Sequence, residues 1–202
     1  MTIDRAALLT GITRLTAAME REFETLNAAD GALGDGDLGV TMTRGMRAIA
    51  EGAADSPADL GQALLRCAQA FTKSSGSSYG TLMATGLMAM AKAIKGQETV
   101  DAAEVSGLVA LARDAMIARG KAELGGKTVL DSLDAVVQAT AGLTAPEDVA
   151  REACNAVREA LAMFRDKPAT VGRARIFGEK SRGMDDPGML AMTFIVEAVG
   201  GY

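Results

Sequence analysis

An all-α fold, an antiparallel up-and-down bundle of about eight helices, is what this sequence predicts. Hydrophobic residues make up 49% of the 202, yet aromatics are only 3% and Trp is absent, so Ala, Leu, Met and Val must fill the interior. Small and flexible apolar side chains suit helix packing, whereas sheets favour β-branched and aromatic residues. Apolar positions recur every three or four residues along most of the chain. No alternating segment of convincing strand length interrupts them, and "ATVGRARIF" reads as loop.

The elements follow in order. Residues 4–29 place Leu8, Ile12, Leu15, Met19 and Phe23 on one helical face. "VTMTRGMRAIAEGA" continues with Val40, Met42, Met46 and Ile49. "SPADLGQALLRCAQAFTK" opens on a Ser-Pro start signal and carries Leu60, Leu64, Ala68 and Phe71. "TLMATGLMAMAKAI" is apolar almost all round, the pattern of a buried helix. "TVDAAEVSGLVALARDAMIARG" has Thr99 and Asp101 near its start and Gly120 at its end. "KTVLDSLDAVVQATAG" repeats Val129, Leu133, Val136 and Val137. "TAPEDVAREACNAVREALAMF" sets Thr144 three residues before Glu147, the spacing of a capping box, and its face is Val149, Ala153, Val157, Leu161 and Phe164. "DPGMLAMTFIVEAV" closes the series. No composition break marks a second domain, so residues 1–202 read as one.

Four loops rich in glycine or hydroxyls separate these helices: 30–39, 74–80, 120–127 and 168–188. They follow the first, third, fifth and seventh helices. In an up-and-down bundle those connections share one rim, so a composite site there follows from connectivity.

Composition excludes several functions. The net charge of −5, with scattered basic residues, does not provide the basic surface that nucleic acid needs. No stretch reaches the roughly 20 apolar residues of a membrane span, and the N-terminus has no signal-peptide pattern. A cytoplasmic protein is the expectation. Cys67 and Cys154 lie far apart in helical patterns and read as buried free thiols. The chain contains no histidine, which removes Ser-His and Cys-His catalysis and imidazole ligation together. Its chemistry must come from carboxylates, amides, hydroxyls, Lys, Arg or a bound metal.

The loop "DGALGDGDLG" gathers Asp30, Asp35 and Asp37 among four glycines with no basic residue. Carboxylates held close raise one another's pKa unless a cation joins them. Oxygen ligands of this kind suit Mg²⁺ or Ca²⁺ rather than zinc. The next helix begins at about Gly39 or Val40, so its N-terminus should face the same place and attract an anion such as phosphate. An EF-hand does not fit, because the glutamate required at its twelfth position is Thr41 or Met46 here. The serines of "KSSGSSYG" offer hydroxyls and amides. "GKAELGGKT" misses the P-loop pattern by one residue, since Lys121 stands where its first glycine belongs. The stretch 168–188 joins Arg173, Arg175, Lys180 and Arg182 to Asp185 and Asp186, and irregular connections of that length are usually functional.

Four ordered motifs, "GDGDLGVTMTRG", "SSGSSYGTL", "GGKTVLDSLDAVV" and "GRARIFGEKSRGMDDPG", make the chain resemble the nucleotide-binding L subunit of dihydroxyacetone kinases, the Dak2-type domain. The resemblance implies an eight-helix barrel whose rim binds ADP or ATP through two Mg²⁺ ions. The family's metal aspartates match Asp30, Asp35 and Asp37. Its nucleotide contacts match Leu38, Gly39, Val40, Thr41, Ser75, Gly76, Gly120, Thr128, Val129, Arg173, Asp186, Pro187 and Gly188. Leu38 stands where the family commonly has His, which removes any imidazole contact and raises a C4 ketose such as erythrulose as an alternative substrate.

The same resemblance implies phosphoryl transfer to dihydroxyacetone or a similar small ketose by positioning and electrostatics, with no protein nucleophile. Three carboxylates and a triphosphate together carry about −7, which two divalent ions reduce to about −3. In the family a separate K subunit holds the sugar through a histidine, which this chain cannot supply. The expected partners are that K subunit, a phosphotransferase phosphocarrier where ADP is recharged in place, and further copies of the chain. Whether ATP or a phosphotransferase system is the donor stays open. Two other readings are a carrier holding an apolar ligand among its 12 methionines and a regulatory protein that keeps the nucleotide site without turnover.

Overall fold

Asp4 opens the first helix by accepting a hydrogen bond from the Ala7 amide at 2.9 Å, in a computed structural model that describes residues 2–202. Nine helices are present among the described residues: α1 (Arg5–Arg21), α2 (Phe23–Leu33), α3 (Leu38–Glu51), α4 (Leu60–Ser74), α5 (Ser78–Ala93), α6 (Val105–Gly120), α7 (Val129–Thr140), α8 (Pro146–Arg165) and α9 (Pro187–Gly200). Each packs on its neighbours in order, and α9 returns to α1, so the ring of contacts closes. Two short strands, β1 (Thr2–Ile3) and β2 (Val100–Asp101), pair antiparallel and tie the N-terminus to the approach of α6.

The extra helix comes from one interruption. The expected helix over 4–29 breaks at Glu22, and its second half runs on to Leu33. Hydrogen bonding continues across the break, from the Glu22 amide to the Ala18 carbonyl and from Leu26 to Glu22, both at 2.9 Å. Helices α1 and α2 therefore act as two halves of one bent rod, both packed on α3 and α9. The parity that sets four loops on one rim is unchanged.

Other expectations need correction. Helix α5 is not enclosed: only Gly80, Ala84, Gly86 and Ala91 are buried, and Met88 is exposed. Its apolar circumference reflects two neighbours, α4 and α6, one on each flank. The Thr144 capping box does not form. Helix α8 starts on Pro146, with Ala145 at the cap position and no side-chain bond there. Proline presets the first-turn φ and has no N–H to satisfy, so it defines the start by itself. Capping boxes form instead between Asp101 and Glu104, ahead of α6, and between Thr128 and Asp131, at the start of α7.

One core cluster links α1, α3, α4 and α9 through Ile12, Met19, Met42, Phe71 and Ala191. A second links α6 through α9 with Met116, Leu133, Val157 and Met192. Tyr79, Met83 and Ile195 touch both, so the core is continuous through α5 and α9. Each enclosed side chain of this size contributes about 1.5–3 kcal/mol. Methionines Met19, Met42, Met116 and Met189 are consumed by this packing. Cys67 and Cys154 are buried free thiols.

Candidate functional site

The acidic segment is a four-residue turn between two touching helices. Helix α2 runs to Leu33, which places Asp30 in its last turn rather than in a loop. Gly36 takes a left-handed φ of +79°, which favours glycine, and the chain reverses there into α3. A side chain at Gly39 would sit 2.2 Å from the Phe23 carbonyl, so glycine is needed where α3 crosses α2.

That crossing is sealed by two side chains of α2. Asp30 Oδ2 accepts from the Asp37 amide at 2.9 Å and the Leu38 amide at 3.2 Å. Asn27 Oδ1 accepts from the Gly39 amide at 2.8 Å and the Val40 amide at 3.3 Å. The first amides of α3 are therefore already satisfied, which corrects the expectation that they stand open for an anion. Leu38 points into the core and is 5% exposed, so its side chain does not face the cleft.

Asp30, Asp35 and Asp37 each bring one oxygen within 4.8 Å of the others, with Asp35 and Asp37 exposed and Asp30 half-buried. Arg173, from the α8–α9 connection, forms an ion pair with Asp35. That bond holds the Asp35 carboxyl below its ordinary value. Asp37 is pushed up, first by burial and then by the charges of Asp35 and Asp30. Three carboxylates with no nitrogen or sulfur donor form a hard, anionic oxygen set, which fits Mg²⁺.

Beside the aspartates lies a cleft of about 230 Å³ lined by Asp37, Val40, Thr41, Arg44, Ser74, Ser75, Gly76, Ser77 and Arg173. Ser77 caps α5 by accepting from the Gly80 amide at 3.0 Å, and Ser75 Oγ accepts from the Ser77 amide at 3.3 Å. Of the sequence-derived contacts, Val40, Thr41, Ser75, Gly76 and Arg173 meet here. Leu38 and Gly39 lie beneath them.

The remaining sequence-derived positions line no part of this cleft. Gly120 ends α6 beside Leu82. Thr128 caps α7, and Val129 lies in the second core cluster. Asp186 caps α9 by accepting from the Met189 amide at 2.9 Å, followed by buried Pro187 and by Gly188. The Tyr79 hydroxyl donates to the Gly188 carbonyl at 3.2 Å and so ties the start of α9 to α5. Burial pushes the Asp186 carboxyl up to about 7, against the pull of the Met189 and Gly188 amides and of Lys127.

Sequence reasoning missed Asn27, Arg44 and Lys127. Arg44 had a readable signal, since it lies four residues after Val40 and so on the same helical face. Asn27 had none, because its role depends on how α2 meets α3.

The DAK2 domain model matches residues 32–201. The chain is 30% identical over 200 residues to the ADP-binding subunit DhaL of PEP-dependent dihydroxyacetone kinase 1 of Listeria innocua, covering 98% of this chain and 97% of that one. The corresponding DhaL subunit of Escherichia coli is also 30% identical, over 98% and 96%. L-erythrulose 1-kinase of Mycolicibacterium smegmatis is 31% identical over 87% of this chain, which spans 32% of that protein. Among solved structures, the dihydroxyacetone kinase from C. freundii, in complex with AMP-PNP and Mg²⁺, superposes with a TM-score of 0.75 over 96% of this chain and 34% of that one. At 24% identity that likeness is one of fold.

Proposed function

This chain belongs to the DAK2 domain family, and from that premise we propose that it is the nucleotide- and Mg²⁺-binding, phosphoryl-transferring subunit of a kinase for dihydroxyacetone or a similar small ketose. The observation that carries this reading is the convergence of Asp30, Asp35 and Asp37 beside a cleft that also presents Arg44, Arg173 and a serine turn.

In this reading the three carboxylates hold two Mg²⁺ ions. The bound metal supplies neutralisation of charge on the phosphates. The chain's own residues bind and orient. Thr41, Ser75 and Gly76 line the pocket for the nucleotide, and Arg173 and Arg44 set positive charge against its phosphates. Positioning and electrostatics of this kind suffice for phosphoryl transfer without a protein nucleophile. Gly120, Thr128, Val129, Asp186, Pro187 and Gly188, which line no part of the cleft, are proposed to serve the nucleotide through the helix ends at which they stand.

The sugar is proposed to arrive on a separate K-type subunit, because a chain with no histidine cannot supply the imidazole that the family uses to capture the ketose. Both DhaL relatives span nearly the length of this chain and belong to PEP-dependent kinases. That likeness supports ADP as a resident cofactor recharged by a phosphocarrier partner, in the cytoplasm. Among the described residues no helix is long and apolar enough to cross a membrane.

Calorimetry with ADP, with and without Mg²⁺, tests the reading. Binding is expected to require Mg²⁺ and to fall about 100-fold or more in Asp35→Ala and Asp37→Ala with helicity unchanged. Equal affinity in EDTA, or affinity unmoved by either substitution, would refute it.

A further inference from the structure

Lys127 is the largest charged side chain removed from solvent, at 0% exposure. Its ammonium donates to three backbone carbonyls, Arg165 at 2.9 Å, Lys167 at 2.9 Å and Ser181 at 2.8 Å. An ammonium has three donors, so the set is complete. The backbone of Lys127 is left-handed, with φ +62°. A non-glycine residue there costs about 1–2 kcal/mol, although two glycines immediately precede it in the same turn. The three bonds of the side chain offset that cost.

Lys127 holds the irregular connection from α8 to α9. Arg165 and Lys167 lie where that connection leaves α8, and Ser181 lies where it returns toward α9. Arg173 sits between them. Further contacts serve the same closure: the Thr170 amide donates to the Gly126 carbonyl at 3.2 Å, and the Gly183 amide to the Arg165 carbonyl at 2.9 Å. Ser181 Oγ accepts from the Ala169 amide at 2.7 Å and donates to the Gly178 carbonyl at 2.6 Å. The closed connection then packs Ala169, Ala174 and Phe177 on Leu33, at the end of α2. That contact delivers the neighbouring Arg173 to Asp35.

We propose that Lys127 is a positioning residue for phosphoryl transfer: by closing the α8–α9 connection it fixes Arg173 over the aspartate cluster. This rests on the reading of the site as a Mg²⁺-nucleotide site. Lys127 touches neither the aspartates nor the cleft, so it acts through Arg173.

A double-mutant cycle tests this by calorimetry with Mg·ADP on the full chain. Arg173→Gln is expected to lose about 10–100-fold in affinity, the loss of a charge-assisted contact. Lys127→Met is expected to lose nearly as much, and the double variant to bind within about threefold of Arg173→Gln alone. Additive losses, or a Lys127→Met protein with lowered Tm but wild-type affinity, would overturn the proposal. Should Lys127→Met not fold, Ser181→Ala breaks the same closure, and its loss of affinity must vanish in the Arg173→Gln background. A wild-type chain that binds no Mg·ADP overturns the reading of the site instead. The closure is then read by amide exchange over 169–184, expected to rise about tenfold in Lys127→Met or Ser181→Ala with the helices unchanged. Unchanged exchange there sinks the positioning role.

Discussion

The two ends of the bundle are held by different physics. At the end away from the aspartates, connections are stitched mainly through backbone groups. Strand β1 pairs with β2, Arg5 donates to the carbonyls of Ser56 and Ala54 at 2.7 Å each, and the Leu60 amide donates to the Gln97 carbonyl at 2.7 Å. At the other end three carboxylates crowd together with Arg173 as their paired cation, and an enclosed lysine and aspartate stand behind them. At the first end the Gln62 and Gly96 amides hold the Asp59 carboxyl below its ordinary value, so what it contributes is lost only as the pH falls into acid. The second gathers charges that oppose folding until a ligand offsets them. A ring closed firmly at one rim can tolerate repulsion at the other.

The largest effect that sharpens this contrast concerns Asp186. Its carboxyl lies at about 7 in the folded chain, against an ordinary 3.8. A raised carboxyl stabilises the fold while protonated, and that contribution is lost as pH rises from about 4 to about 7. A difference of this size corresponds to about 2–4 kcal/mol. Asp186→Asn keeps an oxygen for the Met189 amide and cannot ionise. Its Tm relative to wild type should climb by several degrees between pH 4 and pH 8 and be flat above that. Parallel Tm curves for the two proteins would place the pH sensitivity elsewhere.

What the sequence disclosed follows the same division. The aspartate cluster was legible because its members lie within eight residues, so any compact turn brings them together. The shared rim was legible because helix parity survives an error in helix count. Lys127 was not, since its three carbonyl partners lie 38, 40 and 54 residues away and no side-chain pattern marks a carbonyl. Asn27 was hidden for the same reason, because its acceptor role depends on a crossing of α2 over α3 that only packing sets. The missed break at Glu22 interrupts no apolar period, so nothing in the spacing announced it.

A smaller effect tests the stitched end. Arg5→Ala removes two hydrogen bonds to carbonyls, one of them partly buried. The expected cost is about 1–2 kcal/mol, or about 2–8 °C in Tm, with Mg·ADP affinity unchanged. Lost affinity in the folded variant would break the comparison, because the two ends would then be coupled.

The smallest effect has an unusual sign. Asp37 is raised by burial and by its acidic neighbours, so its charge works against the fold at neutral pH. The stability it contributes when protonated disappears as pH rises through that raised value. Its side chain caps nothing at the start of α3, so replacing it with Asn removes no hydrogen bond there. Asp37→Asn should therefore raise the Tm of the metal-free protein by about 1–2 °C at pH 7 and leave it unchanged at pH 3. With Mg·ADP at about 100 times its Kd, wild type gains about 2.7 kcal/mol and the variant gains little, so the order of the two Tm values inverts. A variant already less stable without metal would mean that Asp37 supports the turn itself. The acidic rim would then be part of the scaffold, and the division between a stitched end and a charged end would fail.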